Sequence, residues 1–436
     1  MFPHHVFPDS AKVNNNGHLM IGGCDTVDLA NKYGTPLYVF DDDTLRGRCR
    51  TFSTEFRNRY ANSSVVYASK AYINPALAKI IEEEGLGLDV VSGGEMAVAQ
   101  SVEFPGNHVY FHGNNKSPAE LLQAINWGIG RIVIDSFSEL SILNDLAGQS
   151  GITQSVMLRV SPSVDPHTHH KTTTGILDSK FGFAIDTGDA AKAVRLAVTA
   201  TNLDLTGLHF HLGSPIFELE PYSTAMEIVL RFADTMKSEG LHLRDLSPGG
   251  GFAISYIRSQ EPPSIARYAQ TIVESLKEGC EKFRIDLPHL IIEPGRAISG
   301  PAGIALYSVG TVKDIPGVRR YISVDGGMGD NIRPALYEAV YEAMLANRMN
   351  AEATELVTIA GKYCESGDIL VRDALLPPIT DNNNDLVVIP ASGAYCPSMA
   401  SNYNLNPKPP VVLVKSGIDR LIRRRESYKD QMLLDL

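Results

Sequence analysis

The chain has 436 residues, 44% hydrophobic and 20% charged, with a formal net charge of −11. That balance suits a soluble folded protein, more readily two domains than one, and the acidic excess argues against a nucleic-acid surface. No apolar run reaches the length of a membrane span, and the opening MFPHHVFPDS lacks the basic region and apolar core of a signal peptide. Five cysteines (Cys24, Cys49, Cys280, Cys364, Cys396) stand apart without CxxC spacing, which points to reduced thiols and a cytoplasmic location.

In chain order, short apolar pieces at 18–21 and 37–40 read as strands, with Asn14, Asn15, Asn16 and Gly17 as a turn signal. A helix is expected over 42–60. Short apolar runs then alternate with amphipathic segments. Strands are expected at 65–69, 88–91, 109–112, 132–135, 155–160, 205–211, 243–247 and 290–293. Helices are expected at 75–84, 94–102, 118–126, 138–147, 189–200, 220–238 and 265–280. Eight strands alternating with helices predict an α/β fold with a (β/α)8 TIM barrel over 41–300. After residue 300 strand-like pieces follow one another at 305–312, 320–324, 356–360, 385–388 and 411–416, with one helix-like insert near 334–347. These predict an all-β domain of sandwich or barrel type, discontinuous in sequence and built from 1–40 and 301–436. Residues 381–385 (DNNND) read as a low-complexity turn.

In such a barrel the chemistry sits at the C-terminal ends of the strands. Lys70 follows the first strand. Asp89, Ser92 and Glu95 lie at or past the second, His112 ends the third, and Asp135 ends the fourth. His209 and His211 end the sixth, placed on one face by alternation. Gly249, Gly250 and Gly251 follow the seventh, where a glycine run lets backbone N–H groups approach an anion and a following helix would add its positive end. Glu293 ends the eighth strand, behind three apolar residues. A buried acid there needs a partner: either Arg296 or the protonated ring nitrogen of a cofactor. His167, His169 and His170 lack a carboxylate or cysteine at ligand spacing, so no metal site is expected. A lysine, a glycine cradle, an acid and a histidine on one rim suggest a Schiff-base cofactor, with burial lowering the proton affinity of the Lys70 amine.

The stretches YASKAYIN, LDVVSGGE, TTTGILDSKFG, HFHLGS, SPGGGF, EPGRAISGPAG, YCESGD and GAYCPSMASNYN, in that order, resemble the diaminopimelate decarboxylases. These are fold-type III pyridoxal-phosphate enzymes of the alanine racemase-like and ornithine decarboxylase-like group. The resemblance runs from about residue 20 to 425. It implies pyridoxal 5'-phosphate as cofactor, anchored on Lys70, with His211 stacked on its ring and Glu293 paired with its ring nitrogen. Asp89 is a further cofactor-binding candidate. Gly249, Gly250, Gly251, Gly295, Arg296 and Tyr395 would help hold the phosphate. Arg296, Arg333 and Tyr337, with Tyr395, would bind a substrate's distal carboxylate, and Glu365 its distal ammonium. Cys364 would be a proton donor. In this family the CES segment comes from the neighbouring subunit, which implies a homodimer whose active site is shared across the interface and completed by the β domain. The resemblance implies decarboxylation of meso-2,6-diaminopimelate to L-lysine. The alternatives are a sister decarboxylase acting on carboxynorspermidine or D-ornithine, and a non-catalytic cofactor-binding homologue. Three positions depart from the family pattern: Tyr72 after Lys-Ala, Pro215 after HLGS, and Cys396 in place of a glycine.

Overall fold

The computed structural model describes residues 3–165, 178–380 and 384–436. His167, His169 and His170, the stretch 172–177 of the TTTGILDSKFG motif, and residues 381–383 of the asparagine-rich turn lie outside the described residues.

Eight parallel strands close into a barrel: β1 (Ser63–Ala68), β2 (Gly87–Val90), β3 (Val109–Phe111), β4 (Arg131–Ile134), β5 (Gln154–Ser161), β6 (Leu203–His209), β7 (Asp245–Gly249) and β8 (His289–Ile292). Each pairs with its neighbour in chain order, and β8 pairs with β1 to close the ring. Strands covered on both faces read as unbroken apolar runs, which is why a sequence pattern finds them. Val66, Tyr110, Val133, Met157 and Ile291 form a packed cluster from five of these strands. The interior is therefore a filled core, and chemistry is confined to its rim.

Helices follow the strands: α1 (Pro75–Glu83), α2 (Gly93–Ser101), α3 (Pro118–Trp127), α4 (Phe137–Gln149), α5 (Asp189–Thr199), α6 (Glu220–Met236) and α7 (Ile265–Phe283). Several begin at a side-chain cap placed just beyond a strand. Asn74 accepts the Leu77 N–H, Ser92 that of Glu95, and Ser117 and Glu120 make a reciprocal capping box. The Glu95 carboxylate also accepts the Val91 N–H at 2.7 Å. Ser92 and Glu95 thus have local structural work.

The sheet-rich part contains a sheet ordered Ile369–Leu376, Glu355–Ala360, Arg319–Val324, Gly303–Ile315, Leu37–Asp41, Val411–Lys415 and Ile418–Arg423, with Leu386–Ile389 pairing onto Gly303–Ile315. The early strand Leu37–Asp41 sits between two late ones, so this domain is discontinuous. Lys12–Val13, Leu19–Ile21 and Cys24–Asp25 form a separate three-stranded sheet. Val6, Leu19, Leu37, Val39, Ile304, Leu306, Val388, Val412 and Val414 share one core. The helix expected near 334–347 is only Arg333–Tyr337: Pro334 suits its first turn, and Glu338 in a left-handed conformation (φ 54°) ends it.

The chain forms two compact units. One comprises Cys49–Ala253 and Pro262–Gly295, the other Met1–Arg48, Ile254–Glu261 and Arg296–Leu436. Ile254–Glu261 groups with the sheets because the Tyr256 carbonyl accepts the Glu342 N–H at 3.1 Å and Arg258 pairs with the Glu342 carboxylate at 2.9 Å.

On β6, a Cβ added to Gly207 would lie 1.7 Å from the Asp245 carbonyl oxygen, where the β5–β6 register shifts. Gly207→Ala should therefore cost about 2 kcal/mol or more. Denaturant unfolding measures this, and an unchanged midpoint would contradict that close strand approach.

Candidate active site

Beyond β1, Lys70 sits in the single 3-10 turn Ser69–Ala71. Ser69 and Ala71 are buried while Lys70 is exposed. The expected burial of its amine is therefore not found, because the turn directs its neighbours inward and the lysine outward. Its positive charge still acts on Asp89, Glu95, His112 and His211.

Glu293, just past β8, is 7% exposed. The Ser247 hydroxyl donates to its Oε1 at 2.7 Å, and His209 Nε2 lies 3.1 Å from its Oε2. His112 Nε2 is 3.6 Å from Oε1, and the two imidazoles meet edge to face, 4.8 Å between centroids. Burial pushes the Glu293 carboxyl up, but His209, His112 and the Ser247 hydrogen bond outweigh it, so the group is held below the usual carboxylate range. Burial pushes His112 the other way for a base, well below the ordinary histidine value, opposed by Glu293. His112, His209 and Glu293 could in principle ligate an ion.

Asp89, within β2, is 2% exposed and is pushed up to about 8, by burial first, opposed by Lys70 and reinforced by Glu293. The two rim carboxylates are thus sorted into one ionised and one protonated near neutrality. Arg159 on β5 acts on both. It lies 4.0 Å from the Asp135 carboxylate, which accepts the Gly182 N–H at 2.7 Å, and its guanidinium covers the Phe181 ring at 4.3 Å.

After β7 the glycine run turns tightly, with φ of 74° at Gly249 and 101° at Gly251. A Cβ on Gly250 would stand 2.2 Å from the Glu293 carbonyl oxygen. The Gly249 N–H donates to Ser247 Oγ at 3.1 Å and the Gly250 N–H to His211 Nδ1 at 3.3 Å. His211 is half-buried, and its pKa is pushed well below the ordinary value by desolvation first and then by Lys70, so it is the neutral acceptor of that bond. The expected helix behind the glycines is absent: α7 begins only at Ile265, capped by Ser264.

In the sheet-rich unit, Arg296 and Arg333 are 6% and 5% exposed. Arg296 Nη1 donates to the Tyr256 hydroxyl at 2.6 Å, and its guanidinium lies 4.8 Å from the Tyr395 ring. Arg333 stacks on Tyr256 at 4.5 Å and donates to the Tyr341 hydroxyl, which is 3.5 Å from Cys396 Sγ. The resemblance paired Arg333 with Tyr337; the Tyr341 hydroxyl and the Tyr256 ring lie at the Arg333 guanidinium as well. Among the described residues no acid pairs with Arg333. Cys364 and Glu365 are exposed, and their hydrogen bonds stay within their own turn or reach Asn404 and Tyr403. His112 was read only as a rim residue with no assigned role, and Arg159, Ser247, Tyr256 and Tyr341 were not among the predicted site residues. The polar ends of β3, β5 and β7 were the available signal for the first three.

Residues 43–300 match the pyridoxal-binding domain of the pyridoxal-dependent decarboxylases, so the barrel is of that class. Diaminopimelate decarboxylase of Bacillus subtilis is 45% identical over 98% of this chain and 97% of that one. Its counterpart in Corynebacterium efficiens is 40% identical over 100% and 95%. The crystal structure of diaminopimelate decarboxylase from M. jannaschii superposes with a TM-score of 0.92 at 33% identity, covering 98% of each chain, and a second structure of it, in complex with L-lysine, gives 0.90 at 33% identity over 100% and 99%. The chain belongs to the diaminopimelate decarboxylase family, whose cofactor is pyridoxal phosphate. The rim residues fit that group. Asp89 Oδ1 and His209 Nδ1 are buried with no hydrogen-bond partner among the described residues, which is what a missing polar ligand leaves behind. An exposed primary amine and an ionised carboxylate stand on the same rim.

An acid whose pKa is raised on folding binds more protons folded than unfolded between about 4 and 8, so stability falls as pH rises through that window. Asp89→Asn should flatten this fall in the cofactor-free protein and make the variant the more stable of the two at pH 8. Unfolding free energies from pH 4 to 8 test it; parallel profiles would rule out the raised carboxyl.

Proposed function

We propose that this enzyme decarboxylates meso-2,6-diaminopimelate to L-lysine and carbon dioxide, the last step of lysine biosynthesis. The observation that carries the substrate choice is Arg333, a buried cation held by two phenols and by no acid among the described residues. Such a group is stabilised by a carboxylate ligand, and a substrate without one leaves it unpaired.

Pyridoxal phosphate, when bound, supplies the electron sink for the pair left behind as the carboxylate departs. The chain's own residues do the rest. Lys70 Nζ is the anchoring amine. Glu293, kept ionised by Ser247 and His209, would accept the hydrogen bond of a protonated ring nitrogen. Asp89 is assigned to the cofactor, and His211 offers its ring a neutral imidazole. Gly249, Gly250, Gly251 and Gly295, with Arg296 and Tyr395, are assigned to the phosphate. Arg296, Arg333, Tyr337 and Tyr395 are assigned to the distal carboxylate, and Glu365 to the distal ammonium. The Cys364 thiol returns a proton to the reacting carbon. Because the Cys364–Glu365 turn is exposed and, beyond itself, bonds only to Asn404 and Tyr403 among the described residues, we assign it to the active site of a second copy, making the enzyme a homodimer. Five free cysteines, four of them buried, support a cytoplasmic setting, and no described helix is long and apolar enough to cross a membrane.

Lysine release from meso-diaminopimelate should exceed turnover of D-ornithine or carboxynorspermidine, and Arg333→Met should lower kcat/KM by roughly a hundredfold. Faster turnover of D-ornithine would overturn the substrate choice. Lys70→Ala and Cys364→Ala should each be inactive, yet regain roughly a quarter of full activity when mixed, as subunit exchange restores one intact site in half of the dimers. No recovery after verified exchange would refute the shared site.

A further inference from the structure

Tyr256 lies in the short segment Ile254–Glu261 and is 5% exposed. Its hydroxyl accepts the Arg296 Nη1–H at 2.6 Å, while its ring face lies 4.5 Å from the Arg333 guanidinium carbon. Two guanidinium groups thus use different parts of one phenol. The face of a ring attracts a cation, and the phenol oxygen takes an N–H only along its lone pairs. Each contact fixes a direction as well as a distance. The ring is itself held, edge-on to Tyr341 at 5.1 Å and 79°. Its backbone N–H donates to Gln260 Oε1 at 2.8 Å, and its carbonyl accepts from Glu342.

We infer that Tyr256 is a positioning residue for substrate specificity: it sets the spacing and orientation of Arg296 and Arg333 so that both address one carboxylate. The inference rests on the assignment of those arginines to the distal carboxylate. A phenol suits this task better than an acid. Two like charges brought together need an electron-rich partner, and an Asp or Glu would neutralise them and compete with the ligand for the same N–H groups. Tyr341 adds to the frame. Burial raises its phenol well above the ordinary value, so it stays protonated, accepting from Arg333 and facing the Cys396 thiol.

The test compares two ligands on the cofactor-loaded enzyme. L-lysine keeps the carboxylate that the arginines address, and cadaverine lacks it. Titrations should show Tyr256→Phe weakening L-lysine binding about tenfold and leaving cadaverine unchanged, since only the hydrogen bond to Arg296 is lost. Tyr256→Leu, which also removes the ring beneath Arg333, should weaken L-lysine binding by a further factor of about ten. KM for meso-diaminopimelate should rise in step, with kcat within about twofold of the unaltered enzyme. Unchanged L-lysine affinity in both variants would overturn the inference, as would a parallel loss of both ligands, which would mark Tyr256 as merely structural. Equal binding of L-lysine and cadaverine by the unaltered enzyme would instead overturn the carboxylate assignment, and the inference with it.

Discussion

A carboxylate withdrawn from water costs several kcal/mol unless its oxygens are hydrogen-bonded, and Glu293 has a partner on each. Ser247 from β7 holds one oxygen and His209 from β6 the other, so the charge ties three adjacent strands at their C-terminal ends. Gly250 can lie against the Glu293 carbonyl only because it has no side chain. The same contacts that keep the acid ionised therefore fix the turn beside it. Across the rim Asp89, whose Oδ1 has no donor among the described residues, is pushed the other way. One scaffold thus presents a permanent anion and a group that titrates near neutrality, separated by environment alone.

The sheet-rich unit solves the opposite problem, that of holding buried cations without cancelling them. Phenols do this at Arg296 and Arg333, each of which meets one phenol oxygen and one ring face. The two units differ in chemistry as they differ in core. The barrel rim carries acids, imidazoles, an amine and Arg159, and in the sheets two guanidinium groups lie among phenols.

Much of this was legible in the sequence. All eight barrel strands fall within about two residues of their expected ends, because strands covered on both faces leave unbroken apolar runs between capped helices. Glu293 was visible as an acid closing the run Leu290–Ile292. What escaped had no periodic signature. Ile254–Glu261 is neither helix nor strand, so nothing drew attention to Tyr256. Tyr341 lies beyond the short helix that Glu338 ends, so no helical spacing tied it to Arg333. Thr26–Tyr33, a helix capped by Asp25, was too short to stand out, and the strand Ile418–Arg423, largely exposed, has no apolar run. Lys70 was placed correctly along the chain, but its exposure depends on a single 3-10 turn that composition does not encode.

The glycine turn after β7 has a bearing on how such a protein can change over time. Its residues are wedged against a carbonyl, an imidazole and a tyrosine hydroxyl, so drift there disturbs everything at once. Arg333, Tyr256, Tyr341 and Cys396 belong to the other unit, with its own hydrophobic interior. Substitutions on that side can accumulate without moving the wedged turn, and Cys396, set against the Tyr341 hydroxyl, is a natural place to look for individuality.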